Sequence, residues 1–288
     1  MNSDSTQRVC IITGANTGIG KVTAREVART GARVILACRS EAKTAPVVAE
    51  IIEQTGNQDV EFTELDLSRL ASVRACAERL LARGLPIHLL INNAGLAGLR
   101  GKTSDGFELH FGVNHLGHFL LTLLLMDRIV ESAGSAPARI VNVSSRSHYD
   151  ARALDLARVQ ERTPSIAGVQ EYGVSKLANV LFTRSLVERL AGKNVNVYSL
   201  HPGVVGSDIW QRRIPRPIAR VMGMFMLTTE DGAKTTLHCA LSDDASGETG
   251  LYYDKCRAKE PSKLAKDDGV AAELWRRSVE WTGVDWPG

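Results

Sequence analysis

No stretch of this chain is apolar for long enough to cross a bilayer. Its most apolar run, Phe119 to Met126, falls far short of the about 20 residues that a spanning helix needs. Cysteine is sparse and scattered. Cys10, Cys38, Cys76, Cys239 and Cys256 form no close-spaced pair, which excludes a zinc-ligand or redox-pair motif. Their odd number argues against a disulfide framework and for reduced thiols. Charge of one sign is also missing. Lys and Arg number 35 against 32 Asp and Glu, a net +3, with no dense basic block to suggest nucleic acid. The first eight residues are polar and run straight into a strand pattern, so no secretory leader is read there. No internal repeat, low-complexity tract or linker interrupts the chain. Together these absences set the expectation of a soluble, cytoplasmic protein.

What is present is a globular composition, 44% hydrophobic and 23% charged over 288 residues, ample for a sizeable core. Short β-branched runs alternate with helical patterns. Strands are predicted at Arg8 to Ile12, Arg33 to Ala37, Val60 to Leu65, Ile87 to Ile91, Arg139 to Val143, Val195 to Leu200 and Leu251 to Asp254. Helices are predicted at Val22 to Arg29, Glu41 to Gln54, Leu70 to Ala82, Gly106 to Val130, Val169 to Leu190, Glu230 to Leu241 and Asp268 to Trp281. Strand-helix alternation of this kind implies βαβ units and a parallel, doubly wound sheet of about seven strands with helices on both faces. Ligands of such sheets sit at the carboxyl ends of the strands.

The first strand runs into Thr13-Gly14-Ala15-Asn16-Thr17-Gly18-Ile19-Gly20 and then a helix. A glycine turn before a helix start presents backbone N–H groups to a phosphate. The alternative is a plain strand-to-helix connection. The second strand ends at Arg39-Ser40, and the place that an acid would take holds Arg39 instead. In dinucleotide folds an acid there holds the NAD ribose, whereas Arg suits the 2′-phosphate of NADP. Asp66-Leu67 and Asn92-Asn93-Ala94-Gly95 follow the third and fourth strands. Asp66 and Asn93 therefore stand where they can face an adenine and its ribose.

The long helix expected at Gly106 to Val130 carries Asn114 beside His110, His115 and His118. The histidine spacing leaves His110 off the other two and no carboxylate or Cys completes a set, so no metal is expected. An asparagine in mid-helix competes with the helix for hydrogen bonds. It either plugs a kink through water or is a plain surface residue. On the later helix, Tyr172 and Lys176 stand four apart and so share a face. A nearby ammonium favours the phenolate and would lower the tyrosine pKa from about 10. A solvated helix face is the alternative. Beyond the sixth strand, Trp210 to Leu227 couples four arginines to a Met-rich apolar run. A substrate lid, a membrane-surface patch and a packed helix all remain open for it.

Taken in order, Thr13-Gly-Ala-Asn-Thr-Gly-Ile-Gly20, Asp66-Leu67, Asn92-Asn-Ala-Gly95, Asn114, Ser144-Ser145, Tyr172-x-x-x-Lys176 and Pro202-Gly203 resemble the short-chain dehydrogenase/reductase superfamily. The likeness spans essentially the whole chain. Ala37-Cys38-Arg39-Ser40, the run Val113 to Thr122, Ser175 to Asn179 and His201-Pro202-Gly203 are similar to its retinol dehydrogenase-like branch. The resemblance implies a single Rossmann-type domain over 1–288. Its cofactor-binding half would be 8–144. The Tyr/Lys helix, lid and C-terminal helix would lie in 145–288.

It further implies that Tyr172 acts as general acid or base and that Lys176 lowers its pKa and binds the nicotinamide ribose. Ser145 would bind the substrate oxygen and Asn114 would hold a water linking Lys176 to solvent. Gly14, Asn16, Thr17, Gly18, Ile19 and Gly20 would wrap the phosphates. Arg39 and Ser40 would meet the 2′-phosphate. Asp66, Leu67, Asn93, Ala94 and Gly95 would line the adenosine side. Pro202, Gly203, Val205 and Ser207 would hold the carboxamide end. Two departures stand out: a long segment between Ser145 and Tyr172, and no hydrophobic anchor ahead of the first strand, unlike many vertebrate members of that branch. The expectation is an NADP(H)-dependent oxidoreductase acting on a carbonyl or alcohol of a lipophilic substrate, with a homodimer or homotetramer an option. The rival is a catalytically idle NADP-binding partner or sensor on the same fold.

Overall fold

A computed structural model describes residues 7–165, 167–203 and 228–286. Strands β1 (Val9–Thr13), β2 (Arg33–Cys38), β3 (Val60–Glu64), β4 (Leu89–Asn92), β5 (Ala138–Val143), β6 (Val195–His201) and β7 (Tyr252–Asp254) are all parallel. A two-residue strand, β8 (Arg257–Ala258), adds antiparallel to β7. The sheet order is β3-β2-β1-β4-β5-β6-β7-β8. The expectation of about seven parallel strands therefore meets eight strands among the described residues, the last a hairpin return too short to carry a periodicity signal.

Why the central strands read as unbroken apolar runs is plain from β1. Successive side chains alternate faces, and all five residues of β1 are buried. Val9 and Ile11 join one core, Cys10 and Ile12 the other. On the second face lie α1 (Gly18–Arg29), α2 (Glu41–Thr55) and α8 (Thr229–Leu241). On the first lie α3 (Leu70–Ala82), α5 (Gly117–Leu124) and α7 (Val169–Arg189). Burial on both faces is what a parallel sheet requires. The C-terminal helix α9 (Asp268–Thr282) packs outside α7. It starts on Asp267, whose carboxylate accepts from the Val270 N–H at 3.0 Å, and stops at Gly283 in the left-handed region.

The single helix expected over Gly106 to Val130 is not formed. Gly106 takes φ +89 in the preceding turn. Helical structure begins with α4 (Leu109–Phe111), widens into a π-turn at Gly112–Leu116, resumes as α5 and ends in α6 (Met126–Glu131). A π-turn inserts one extra residue per hydrogen-bonded ring and often marks a functional site. No helix among the described residues is long and apolar enough to cross a membrane.

Candidate active site

The carboxyl ends of β1, β2, β4 and β5 bring the predicted residues to one edge of the sheet. At the end of β1 the chain turns at Gly14, whose φ of +64 is left-handed. Gly20 is required by close approach: a Cβ there would lie 2.5 Å from both the Gly14 carbonyl and Asn93 Nδ2. Thr17 precedes α1 in an extended conformation and makes no side-chain cap, and the first turn of α1 has no acidic residue. The first amides of a helix lack partners within it. Here their donors are left for an anion, which fits a pyrophosphate carried by a dinucleotide. Asn16 is half-buried and Thr17 exposed on this turn.

Asn93 holds the turn from the other side. Its Nδ2 donates to the carbonyls of Thr13 at 2.9 Å and Gly14 at 3.3 Å. That amide is therefore spent on the turn, a use the sequence reading did not foresee. Asp66 is half-buried, and its Oδ1 accepts from the Ser68 N–H at 3.0 Å and hydroxyl at 2.6 Å. Leu67 is buried in the first core, so only its main chain is available to a ligand. Arg39 is exposed immediately after β2. Ser40 begins α2 without using its side chain as a cap. The two stand beside the glycine turn, because the Gly14 N–H donates to Ala37 O at 2.9 Å.

The Tyr/Lys helix is buried nearly all round from Ser175 to Leu186, between the sheet, α4 and α9. It is locked to β5 by three bonds. Ser144 Oγ donates to Lys176 O at 2.7 Å, Lys176 Nζ donates to Val143 O at 2.9 Å, and Asn179 Nδ2 donates to Val143 O at 3.2 Å. Ser145, next in the chain, hydrogen-bonds Tyr172. Lys176 Nζ lies 5.6 Å from the centroid of the Tyr172 ring. Gly95 stands over this group: a Cβ there would be 3.5 Å from Lys176 Nζ and 3.4 Å from Asn114 Oδ1.

The electrostatics differ from the sequence expectation. Burial raises the Tyr172 pKa above its ordinary value, and the bond with Ser145 only partly opposes this. Lys176 is itself so desolvated that its pKa is pushed down to about 8. Its ammonium donates to the Val143 carbonyl at 2.9 Å.

Asn114 is wholly buried in the π-turn, so the surface reading of it is wrong. Its Oδ1 accepts from the Leu96 N–H at 2.9 Å. Its Nδ2 donates to Leu96 O at 3.0 Å and to Ser175 Oγ at 2.9 Å, and Ser175 Oγ donates to Tyr172 O at 2.8 Å. Pro202 and Gly203 follow β6 and are half-buried. Val205, Ser207 and the 210–227 stretch lie outside the described residues.

One participant escaped the sequence reading. Glu108 is buried. Its carboxylate accepts from the Phe111 N–H at 2.9 Å, from Thr163 Oγ1 at 2.5 Å and pairs with His110 Nδ1 at 2.9 Å. Burial works to raise this carboxyl, but these bonds outweigh it and leave it below the usual range. Glu108 thereby holds Thr163 of the long segment that precedes the Tyr/Lys helix. The signal was there in Glu108 and His110 two apart before the Asn114 motif. Among the described residues no three metal-ligating side chains gather.

The short chain dehydrogenase family model matches residues 8–156. Retinol dehydrogenase 12 of Mus musculus is 47% identical over 97% of this chain and 87% of its own. The chain belongs to the short-chain dehydrogenase/reductase family, in its retinol dehydrogenase-like branch. It is a Rossmann-fold oxidoreductase of that family. Among solved structures, an uncharacterised protein from Mycobacterium paratuberculosis is 35% identical, with a TM-score of 0.77 over 98% of this chain and 96% of that one. A 3-ketoacyl-(acyl-carrier-protein) reductase from Brucella melitensis, solved with NADH, is 25% identical at a TM-score of 0.66, covering 86% and 96%.

Proposed function

We propose that the chain is an NADP(H)-dependent oxidoreductase that interconverts a carbonyl and an alcohol on a lipophilic substrate. The observation that carries this is the meeting of Ser145, Tyr172, Lys176 and Asn114 at the sheet edge that also presents the uncapped start of α1. A nicotinamide cofactor would supply the hydride; the chain's own residues supply position and the proton. Gly14 to Gly20 would hold its phosphates, Lys176 its nicotinamide ribose, and Arg39 with Ser40 the 2′-phosphate.

In the reductive direction Tyr172 Oη gives its proton to the substrate oxygen while Ser145 donates a second bond to it. Both bonds strengthen as negative charge gathers there, which is how such donors lower a barrier. The raised pKa of Tyr172 keeps the phenol protonated and ready to donate. Lys176 would favour the phenolate once the proton has left, since an adjacent ammonium stabilises it. In the oxidative direction the same groups take the proton back.

A lipophilic substrate is supported by the Met-rich composition of 221–227 and by the retinol dehydrogenases among the relatives. Retinal-like, steroid-like and other hydrophobic aldehydes or ketones are the class we infer. We place the protein in the cytoplasm. The test is a panel of apolar and polar carbonyls with NADPH, followed by loss of the reduced nicotinamide absorbance. Turnover of the apolar members is expected. NADPH binding with no turnover of any member would instead favour the idle-partner reading.

A further inference from the structure

Three histidines sit around Asn114, and none has a part in the chemistry above. His118 is the one joined at both ring nitrogens. Nδ1 lies 3.0 Å from the Asn114 main-chain oxygen, and Nε2 lies 2.8 Å from Thr13 Oγ1. The ring is buried, and burial pushes its pKa down to about 4; the bond to Asn114 opposes this and the Lys176 charge adds to it. At neutral pH it is therefore uncharged, with one donor and one acceptor nitrogen.

The direction of every bond then follows. A carbonyl can only accept, so Nδ1 carries the hydrogen and donates to Asn114 O. Nε2 is left to accept, and the Thr13 hydroxyl donates to it; its other acceptor, Ile91 O, is more distant at 3.4 Å. The Thr13 oxygen in turn accepts the N–H groups of Asn93 at 3.0 Å and Ala94 at 2.9 Å. The loop after β4 is thus gripped twice: by Thr13 at Asn93 and Ala94, and by the Asn114 side chain at Leu96. His118 joins the two grips.

We propose that His118 is a positioning residue: it ties the π-turn at Asn114 to the Thr13 hydroxyl, so that the cofactor turn and the Tyr172 helix hold one register. A hydride must pass between atoms held by these two parts, so slack between them costs rate. The proposal rests on the oxidoreductase reading.

The test compares His118→Phe, which keeps a ring but loses both bonds, with His118→Gln, whose amide reaches the Nε2 position and keeps the bond to Thr13. NADPH affinity is read by fluorescence titration, and kcat and KM for a carbonyl are read separately, well below each melting temperature. His118→Phe is expected to lower kcat by about 10–100-fold, the scale for a misplacement of about 1 Å, with carbonyl KM within about twofold. It is also expected to weaken NADPH binding by about tenfold. His118→Gln should restore NADPH affinity but not all of kcat. Thr13→Val should weaken NADPH binding, and combined with His118→Phe should lose less than the two separately. Wild-type kcat and NADPH affinity in His118→Phe would overturn the proposal, as would strict additivity with Thr13→Val. Should His118→Phe not fold, wild-type kcat in His118→Gln overturns it equally. A wild-type chain that turns over no carbonyl would sink the oxidoreductase reading instead. The NADPH titrations would still judge the link.

Discussion

The ammonium of Lys176 donates to the main-chain oxygen of Val143 at 2.9 Å. Val143 ends β5 and stands two residues before Ser145. One bond therefore ties the helix that carries Tyr172 to the strand that delivers its partner hydroxyl. It also anchors the lysine charge on the sheet, 5.6 Å from the centroid of the Tyr172 ring.

Removing the phenolic hydroxyl tests the proton assignment. Tyr172→Phe keeps the ring and its packing against His110. Activity is expected to fall by about 10²–10⁴-fold, the range for a lost general acid, with NADPH affinity within about twofold. Retention of a tenth of wild-type kcat or more, about 1.4 kcal/mol in barrier, would mean that the proton comes from elsewhere.

Lys176 should cost stability for the sake of function. Its pKa falls from 10.5 to about 8 through burial. Below about pH 8 the lysine is charged in the folded and unfolded states alike, so the desolvation penalty is fully present. Between about pH 8 and 10.5 the folded form sheds its proton first, and wild-type stability recovers. The displacement corresponds to about 3.5 kcal/mol at most, since one pKa unit is about 1.4 kcal/mol. Lys176→Met leaves Val143 O bonded to Asn179 Nδ2. We expect this variant to be inactive yet to melt higher than wild type at neutral pH, with the gap narrowing toward about pH 10. A lower melting temperature at neutral pH would mean that the bond to Val143 outweighs the desolvation of the ammonium.

The cofactor preference turns on one exposed side chain. On the proposed reading, Arg39→Asp would replace a donor for a 2′-phosphate by a carboxylate that repels it and can accept from ribose hydroxyls. Wild type is expected to favour NADPH over NADH by at least about tenfold in kcat/KM, or about 1.4 kcal/mol, and the variant to shift toward NADH. An unchanged ratio in the variant would show that Arg39 points to solvent.

Acid should loosen the fold ahead of the carboxylates. Burial holds the pKa of His115 at about 3 and those of His118 and His201 at about 4. Unfolded histidines take up protons near 6.5, which the folded ones refuse, so stability present above that pH is lost as it falls toward about 4. The urea midpoint should therefore drop between about pH 7.5 and 5, and His115→Phe should drop less. Equal midpoints at the two pH values would refute this.

The face formed by α5 and α7 is covered by the chain itself. Trp275 of α9 lies 5.1 Å from Phe119 and 6.1 Å from Phe182 between ring centroids, with the Arg189 guanidinium 3.9 Å from the Trp275 ring. A subunit contact on that face would require α9 to lift. Any homodimer or homotetramer is expected to form through another face, and Trp275→Ala to cost about 3–5 kcal/mol by opening the cluster. A dimer whose amide protection maps to α5 and α7 would contradict this covering.

How much of this was legible beforehand depended on how local the cause was. The alternation of strands and helices, the glycine turn and the shared face of Tyr172 and Lys176 follow from periodicity and spacing. Those are properties of neighbours along the chain, and the sequence alone determined them. It also marked Asn114 as anomalous in mid-helix, because a buried amide in a helix must be paid for by hydrogen bonds. The partners of that amide come from β4's loop and α7, and only the tertiary structure could name them. The same holds for the π-turn, which a run of apolar residues does not announce, and for Glu108 holding Thr163 across a long irregular segment. It holds for the pKa of Tyr172, raised by burial and partly opposed by Ser145. Each of these rests on contacts between residues far apart in the chain, and such contacts are fixed by packing rather than by local pattern.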